Sequence, residues 1–440
     1  YVKGGWLLAF SRWLKAKSQS FRQPLTSYSI LCAPNAYLVV KMELMKEFVD
    51  EKVREFSEAK KEPEWLLKYR LKNFKAFASL ELQQSKYTNM QKLLELLQVP
   101  QETKAPQLFL PKELAEKGVV FQELGEAVRN HSNLVNNFLE SEREPVDKFD
   151  AFTNSFFNAG FFLHVPKGVE EEVFIENNFL DSLKNNSFCK GIIALEEGTS
   201  LTFFDKMTSS PEVVGCNLTA FLDSCSMNFI SFNGLPQQSN LIDSKKFFVG
   251  RHTTLKSFYA SLGSKQKKSV VRNYLLGQGC AVHHYELFFA DGEQHLDLNS
   301  SLVHETSDTS GFISMRGVLK DKSSSIFDGM IKILKAGKRT NSFLEAHSLL
   351  LSKEASSNNI PGLEIEANDV KAKHSASVTK IDEEQIFYLR TRGILEEDAR
   401  KMIVISFLES VLNKLAQENA RELLFKKIEE RDLPRAEETG

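Results

Sequence analysis

Tyr285-Glu286-Leu287-Phe288-Phe289-Ala290 is the run from which the fold can be read. Successive side chains on a strand point to opposite faces, so Tyr285, Leu287 and Phe289 fall on one face of a predicted β-strand. Similar short β-favouring runs recur at Gly191–Leu195, Leu201–Phe204, Asn217–Leu222, Met227–Phe232 and Phe312–Leu319. Gly, Asn, Asp and Ser separate them, which is the punctuation of turns. From about Phe149 to Ile381 no amphipathic helical pattern of comparable strength interrupts the series. Many short strands at near-even spacing suit a solenoid of stacked β-coils, which lengthens without a larger spherical core. A β-sandwich is the alternative that periodicity alone leaves open, because identity between the candidate coils is poor.

Composition narrows the class further. A chain of 440 residues exceeds the roughly 250–300 at which a single hydrophobic core stops growing. Hydrophobic residues make up 42% and charged residues 26%, as in a soluble globular protein. Thirty-four Phe against nine Tyr suggest a core stacked with unfunctionalised rings. A net charge of −2 argues against a nucleic-acid surface, which needs clustered Lys and Arg. No apolar run reaches the roughly 20 residues that span a bilayer. The five cysteines, at 32, 189, 216, 225 and 280, form no C-x-x-C pair. That excludes a zinc ribbon or a cysteine-only cluster cradle, and the odd count fits a reducing, cytoplasmic setting. Residues 1–41 hold Lys and Arg but no Asp or Glu. They read either as an extension ahead of a true start at Met42 or as a transit peptide, which would make the location plastid.

Three regions follow. Residues 42–145 read as an N-terminal helical domain, 146–380 as the β core and 381–440 as a C-terminal helical domain. In the first, Glu43–Lys60 carries apolar Leu44, Phe48, Val53 and Phe56. Pro63 precedes a helix over Glu64–Phe77 whose apolar face is Trp65, Leu67, Leu71, Phe74 and Phe77. In the last, Asp382-Glu383-Glu384-Gln385 has the acidic composition of a first turn, and Gly393 stops that helix. Glu396–Phe425 then reads as one long amphipathic helix.

Two stretches could carry chemistry. Val370-Lys371-Ala372-Lys373-His374-Ser375-Ala376-Ser377-Val378 has strand spacing, which sets Val370, Ala372, His374, Ala376 and Val378 on one face. Imidazole is a borderline-soft ligand suited to iron, and small neighbours leave room beside it, so His374 is the candidate metal ligand. The plainer reading is a core histidine whose ring nitrogens are hydrogen-bonded. His283, His284, His295, Asp297 and His304 form a second cluster near Asp291 and Glu293, readable as a metal site or as a solvated polar face. The sequence lacks a phosphate-cradling Gly-x-x-x-x-Gly-Lys-Ser/Thr loop, a G-x-G-x-x-G turn, a G-x-S-x-G elbow and an H-E-x-x-H pair.

Several ordered runs together resemble one family. They are Ala151–Gly160 with Val165-Pro166-Lys167-Gly168-Val169, then Ala290–Asp297, Leu349–Ser352, Leu363–Lys371 and Phe387–Ile394, together with Glu62–Phe77. This set is similar to the SufB and SufD proteins of the Suf iron–sulfur cluster assembly scaffold. The resemblance implies a mainly β protein, with a right-handed parallel β-helix core between helical N- and C-terminal domains. It implies a non-catalytic scaffold subunit that pairs with SufB through β-helix edges and docks the SufC ATPase on its C-terminal helices. ATP would bind only on SufC, and no cofactor would be held stably by this chain. Iron or a nascent cluster would visit transiently at the SufB interface, where the family's implicated SufD histidine aligns with His374. SufB's cysteine falls in a Cys-Asp-Ser-Leu-Leu pattern, and here that run is Ala346-His347-Ser348-Leu349-Leu350, so the chain resembles the SufD side. Many SufD proteins carry a cysteine where this chain has Ala372. A homodimer, a carbohydrate-active β-helix enzyme and a purely structural assembly protein stay open as alternatives.

Overall fold

The computed structural model describes residues 50–100, 108–170, 172–179, 186–209, 211–415 and 417–431. The stretch 1–41 and the start of the helix read over Glu43–Lys60 lie outside them. The described residues form two compact units.

The first unit takes in residues 50–100 together with Val128–Asn158. Its helices cover 50–59, Glu64–Ser79, Met90–Glu95, Ser132–Glu140 and Lys148–Phe156. Pro63 stands at the N-cap of Glu64–Ser79, where its missing N–H costs no helical bond. Phe74, Phe77, Phe152 and Phe156 pack edge-on or tilted at 5.0–6.1 Å between ring centroids. Arg70 is fully buried among them, and a buried cation survives only when paired. It donates to both Glu62 carboxylate oxygens at 2.7 Å and to the carbonyls of Ser155 and Phe157 at 3.0 and 3.1 Å. Its guanidinium also covers the Phe157 ring at 3.7 Å. The helix Lys148–Phe156, capped by Asp147, falls within the interval read from sequence as β core but belongs to this unit. Nearly all of its side chains are buried, so it offers no polar face by which sequence would mark it as a surface helix.

The second unit comprises Thr103–Ala127 and Ala159 onwards, and its strands build a parallel β-solenoid of about seven turns. In chain order the strands are β1 (Val120–Glu123), β2 (Ala159–Val165), β3 (Glu172–Asn177), β4 (Ser187–Leu195), β5 (Ser200–Met207) and β6 (Val213–Leu222). Next come β7 (Ser226–Asn233), β8 (Asn240–Val249), β9 (Thr254–Ser261), β10 (Gln266–Leu275), β11 (Ala281–Ala290) and β12 (His295–His304). The last are β13 (Ser310–Leu319), β14 (Ser324–Ile333), β15 (Thr340–Leu350), β16 (Ser356–Ile365) and β17 (Val370–Lys380). Even strands stack into a 9-stranded sheet that begins with β1, and odd strands from β3 to β17 stack into an 8-stranded one. Every pair is parallel except β1 with β2, which is antiparallel. Each coil thus contributes one strand to each sheet, and the core is the strip between them.

Because register holds from coil to coil, like residues stack in columns. Phe203 and Phe229, register partners on the odd sheet, stack inside at 6.0 Å, and Phe161 of the even sheet faces Phe203 across the strip at 5.4 Å. Phe221, Phe248 and Tyr274 stack on the opposite face of the even sheet, at 5.1 and 5.2 Å. These spacings follow the strand separation of about 4.8 Å and explain the abundance of Phe. The turns repeat as well. Gly198, Ser224, His252, Gly279, Asp308 and Arg339, each between an even strand and the next odd one, all have positive φ. Their backbones chain together: Gly198 N–H donates to Ser224 O, His252 N–H to Gln278 O, and Gly279 N–H to Asp308 O, at 2.9–3.0 Å.

Three helices follow β17: Glu383–Thr391, Glu396–Leu412 and Glu418–Glu429. Asp382 caps the first by accepting from Glu384 N–H, and Gly393 ends it with φ +87°. The single helix read over Glu396–Phe425 is corrected to two. Val404, Leu408, Val411 and Leu412 pack on the odd sheet beside Phe258, Leu287 and Val318, and Ala420, Leu424 and Ile428 join the same cluster. A straight helix of that length would run about 45 Å and leave this patch, so the chain breaks after Leu412. Arg431 closes the segment on Asp291 and the Leu262 carbonyl. Among the described residues no helix is long and apolar enough to cross a membrane.

Gly317 lies in register with Phe288, and a Cβ there would come within 2.0 Å of the ring. Gly317→Ala is therefore expected to cost about 1–3 kcal/mol by overpacking, read by chemical denaturation. Phe288→Leu in the same chain should recover part of that loss.

Candidate functional site

The solenoid ends on β16 and β17, the outermost strands of their sheets. Among the described residues nothing pairs with their outer edges, so each presents a row of backbone donors and acceptors. The column of core positions also runs out here. Leu344 and Ala346 on β15 are fully buried, while their register partners on β17 are His374 and Ala376, both exposed. On the even sheet Ile331 and Ile333 are fully buried, but their partners are half-buried Leu363 and exposed Ile365. Val378 and Ile365 are each 42% exposed, although their columns are core columns one coil earlier. The terminal coil is thus core without a cover.

His374 stands in that uncovered column, on the face shared with Val370, Ala372, Ala376 and Val378 as the spacing predicts. Val370 and Ala372 pack against the main core cluster, which anchors the near end of the strand. The imidazole is exposed and makes no side-chain hydrogen bond among the described residues, so the reading of a satisfied core histidine does not hold. Asn359 braces the coil from within by donating to the carbonyls of Ser377 and Ala346, at 3.1 and 3.3 Å. His347 is held differently, with Nδ1 2.6 Å from Ser377 Oγ, and burial pushes its pKa down. The two edges carry opposite charge: Lys371, Lys373 and Lys380 are exposed on β17, and Glu364 and Glu366 on or beside β16. Glu364 is already tied to Lys332 at 2.6 Å, so the two glutamates do not form a free carboxylate pair.

One imidazole is one ligand. Among the described residues no group of three or more His, Cys, Asp or Glu is placed to hold a metal. The described cysteines, 189, 216, 225 and 280, are free and buried, and none lies on β16 or β17. Burial pushes the Cys225 thiol up to about 12 and the Cys280 thiol to about 11, far from thiolate chemistry. Any further ligand at His374 has to come from outside the described residues.

The second histidine cluster disperses, and both readings of it are corrected. His284 points into the solenoid, with Nδ1 3.0 Å from Ser257 Oγ and Nε2 2.9 Å from Glu286 Oε1. His304 is also fully buried, between Thr309 Oγ1 at 2.8 Å and Ser342 Oγ at 3.1 Å. His295 bonds Ser324 on the next coil. Strand spacing set the alternation correctly but could not tell which face was interior, because this core accepts charged residues. Lys245, Asp243, Lys267 and Glu286 are all buried inside it. In the sequence they look like solvent-facing positions between Phe and Val, and no local signal marks them otherwise.

A family profile described as SUF system FeS cluster assembly, SufBD core domain, matches residues 178–407, more than half of the chain. The chain belongs to the SufBD family. The matched SufBD segment contains all of the solenoid from β4 onward, the terminal coil with His374, the first C-terminal helix and most of the second. Among SufBD relatives, an iron–sulfur cluster assembly SufBD family protein of Staphylococcus haemolyticus is 27% identical over 419 residues. That alignment covers 84% of this chain and 90% of the relative. A Staphylococcus aureus protein of the same description is 26% identical over the same shares.

Burial lowers the His304 pKa to about 4 from 6.5. The fold therefore favours neutral imidazole, and this stabilisation is complete above pH 6.5 and lost as pH falls toward 4. It amounts to about 3 kcal/mol. His304→Gln should flatten the fall in stability between pH 6.5 and 4, measured by denaturant midpoints across that range.

Proposed function

We propose that this chain is the SufD-like, non-catalytic half of an iron–sulfur cluster assembly scaffold. The observation that carries the reading is the terminal coil, where two unpaired strand edges frame an exposed imidazole on an uncovered core face. A partner of the same architecture, with the same rung spacing, is the surface best matched to such an end. SufB is that partner in this reading, and its thiol supplies what Ala346 and Ala372 lack here. Iron or nascent cluster, as cargo, would take one bond from His374 and thiolate bonds from SufB. The chain would hold no cofactor of its own, catalyse no reaction itself, and act in the cytoplasm.

In this reading the SufC motor sits on the C-terminal helices. Phe387, Tyr388, Leu395 and Met402 are 68, 58, 72 and 50% exposed there, an apolar set beside the acidic first turn of Glu396–Leu412. SufC would dock on it, and nucleotide-driven closure of two SufC subunits would shift these helices and shear the scaffold joint, baring His374. The carbohydrate-enzyme reading loses its support, because Glu364 is bound to Lys332 and no catalytic carboxylate pair remains on that edge.

His374→Ala is expected to keep SufB and SufC in the co-purified complex yet lower cluster yield about tenfold or more, read as iron and acid-labile sulfide per complex. Unchanged yield would favour a purely structural subunit. Val378→Asp should abolish SufB capture and leave SufC bound, whereas Leu395→Asp should do the reverse, both read by co-expression and mass analysis. Were neither protein captured by the unaltered chain, the proposal would fail.

A further inference from the structure

Between β3 and β12 the interior columns become polar. On the odd strands the sequence of stacked positions is Asn177, Asp205, Ser231, Tyr259 and Glu286. On the even strands it is Cys189, Cys216, Asp243 and Ser269, with Lys245 and Lys267 two positions to either side of the Asp243 column. Asp243, Lys245, Tyr259, Lys267 and Glu286 are 1–4% exposed. Lys245 pairs with Asp243 and lies 5.6 Å from the Tyr259 ring centre, so the two columns meet across the strip.

Burial pushes the Tyr259 phenol up, so it stays protonated, and pushes the Lys267 ammonium down. Burial would raise the Asp243 carboxyl, but Lys245 and Lys267 hold it below its ordinary value. Burial likewise acts against the Glu286 carboxylate, and His284 and Ser300 more than offset it. Their hydrogen bonding is nevertheless incomplete. Among the described residues Asp243 Oδ1, Glu286 Oε2 and the Tyr259 hydroxyl have no partner. Lys245 donates to Asp243 and Lys267 to Ser261, one N–H of three in each case. A cavity of about 10 Å³ opens between Asn177, Asp205, Cys216 and Lys245. That is the space of a single water.

We infer that this interior is a built water site, with one water in the cavity on Lys245 and further water bridging Asp243 Oδ1, the Tyr259 hydroxyl and Glu286 Oε2. The mixture of unmet groups selects the ligand. A cation would satisfy the carboxylate oxygens and leave the ammonium N–H groups unmet, and an anion would do the opposite. Water donates and accepts, so it alone serves both sets.

The Asp243 and Glu286 columns then lose their polarity. One coil further, Met315 replaces Glu286, Ile313 replaces His284 and Leu298 replaces Ser269, and Phe327 follows Leu298. All of these are buried and apolar. Ser300, which donates to Glu286 Oε1, is a polar position that remains at that level, so the polar run thins before the terminal coil.

The test is a crystal structure of the full chain at a resolution that orders internal water, with a parallel soak in rubidium bromide. Density is expected within hydrogen-bonding distance of Lys245 Nζ and of Asp243 Oδ1, with no anomalous peak. A dry interior, side chains re-paired directly with one another, or anomalous rubidium or bromide at either place would overturn the inference. Tyr259→Phe gives a solution check by oxygen-17 relaxation dispersion. It should lose long-lived internal water relative to the parent while retaining the same denaturant midpoint slope. An unchanged dispersion amplitude would reject the bridging water.

Discussion

Everything in the second unit depends on in-register parallel pairing of each coil with the coils on either side. Where register holds, backbone donors and acceptors are satisfied above and below, and every side-chain position becomes a column. Phenylalanine columns then form a core of constant width, so the unit grows by length. The same rule fixes what happens where it stops. The last coil has neighbours on one side only, and its core-facing residues are bare because no further coil arrives. The candidate site thus follows from termination of a repeat, with no specialised pocket required.

The strands were legible where apolar residues alternate or run together between turn residues, as in Tyr285–Ala290 and Phe312–Leu319, which fall within β11 and β13. The repeat itself was harder to read, because it is conserved in conformation more than in identity. Gly198, Ser224, His252, Gly279, Asp308 and Arg339 occupy one recurrent left-handed corner with five different side chains. Non-glycine residues there cost little when a rung-to-rung hydrogen bond fixes the backbone, so sequence varies freely around a fixed shape.

His374 was legible by face but not by environment. Its spacing placed it correctly among Val370, Ala372 and Ala376, and only the absence of a covering coil made it exposed. His284 and His304 had the opposite fate: their surroundings look polar in sequence, yet both lie inside. Local pattern gives alternation, whereas position along the stack decides which face meets water. The division of Glu396–Phe425 into two helices has a similar origin, since only the shape of the sheet beneath it sets where the chain has to turn.

At the opposite end of the even sheet, β1 runs against β2, the one antiparallel pairing in an otherwise parallel stack. That reversal changes the hydrogen-bonding phase at this edge of the even sheet. A further rung arriving in the parallel phase of β16 would meet that edge with its donors and acceptors unevenly matched. The two ends of the even sheet therefore differ, with β16 closing it in the parallel phase and β1 in the antiparallel one.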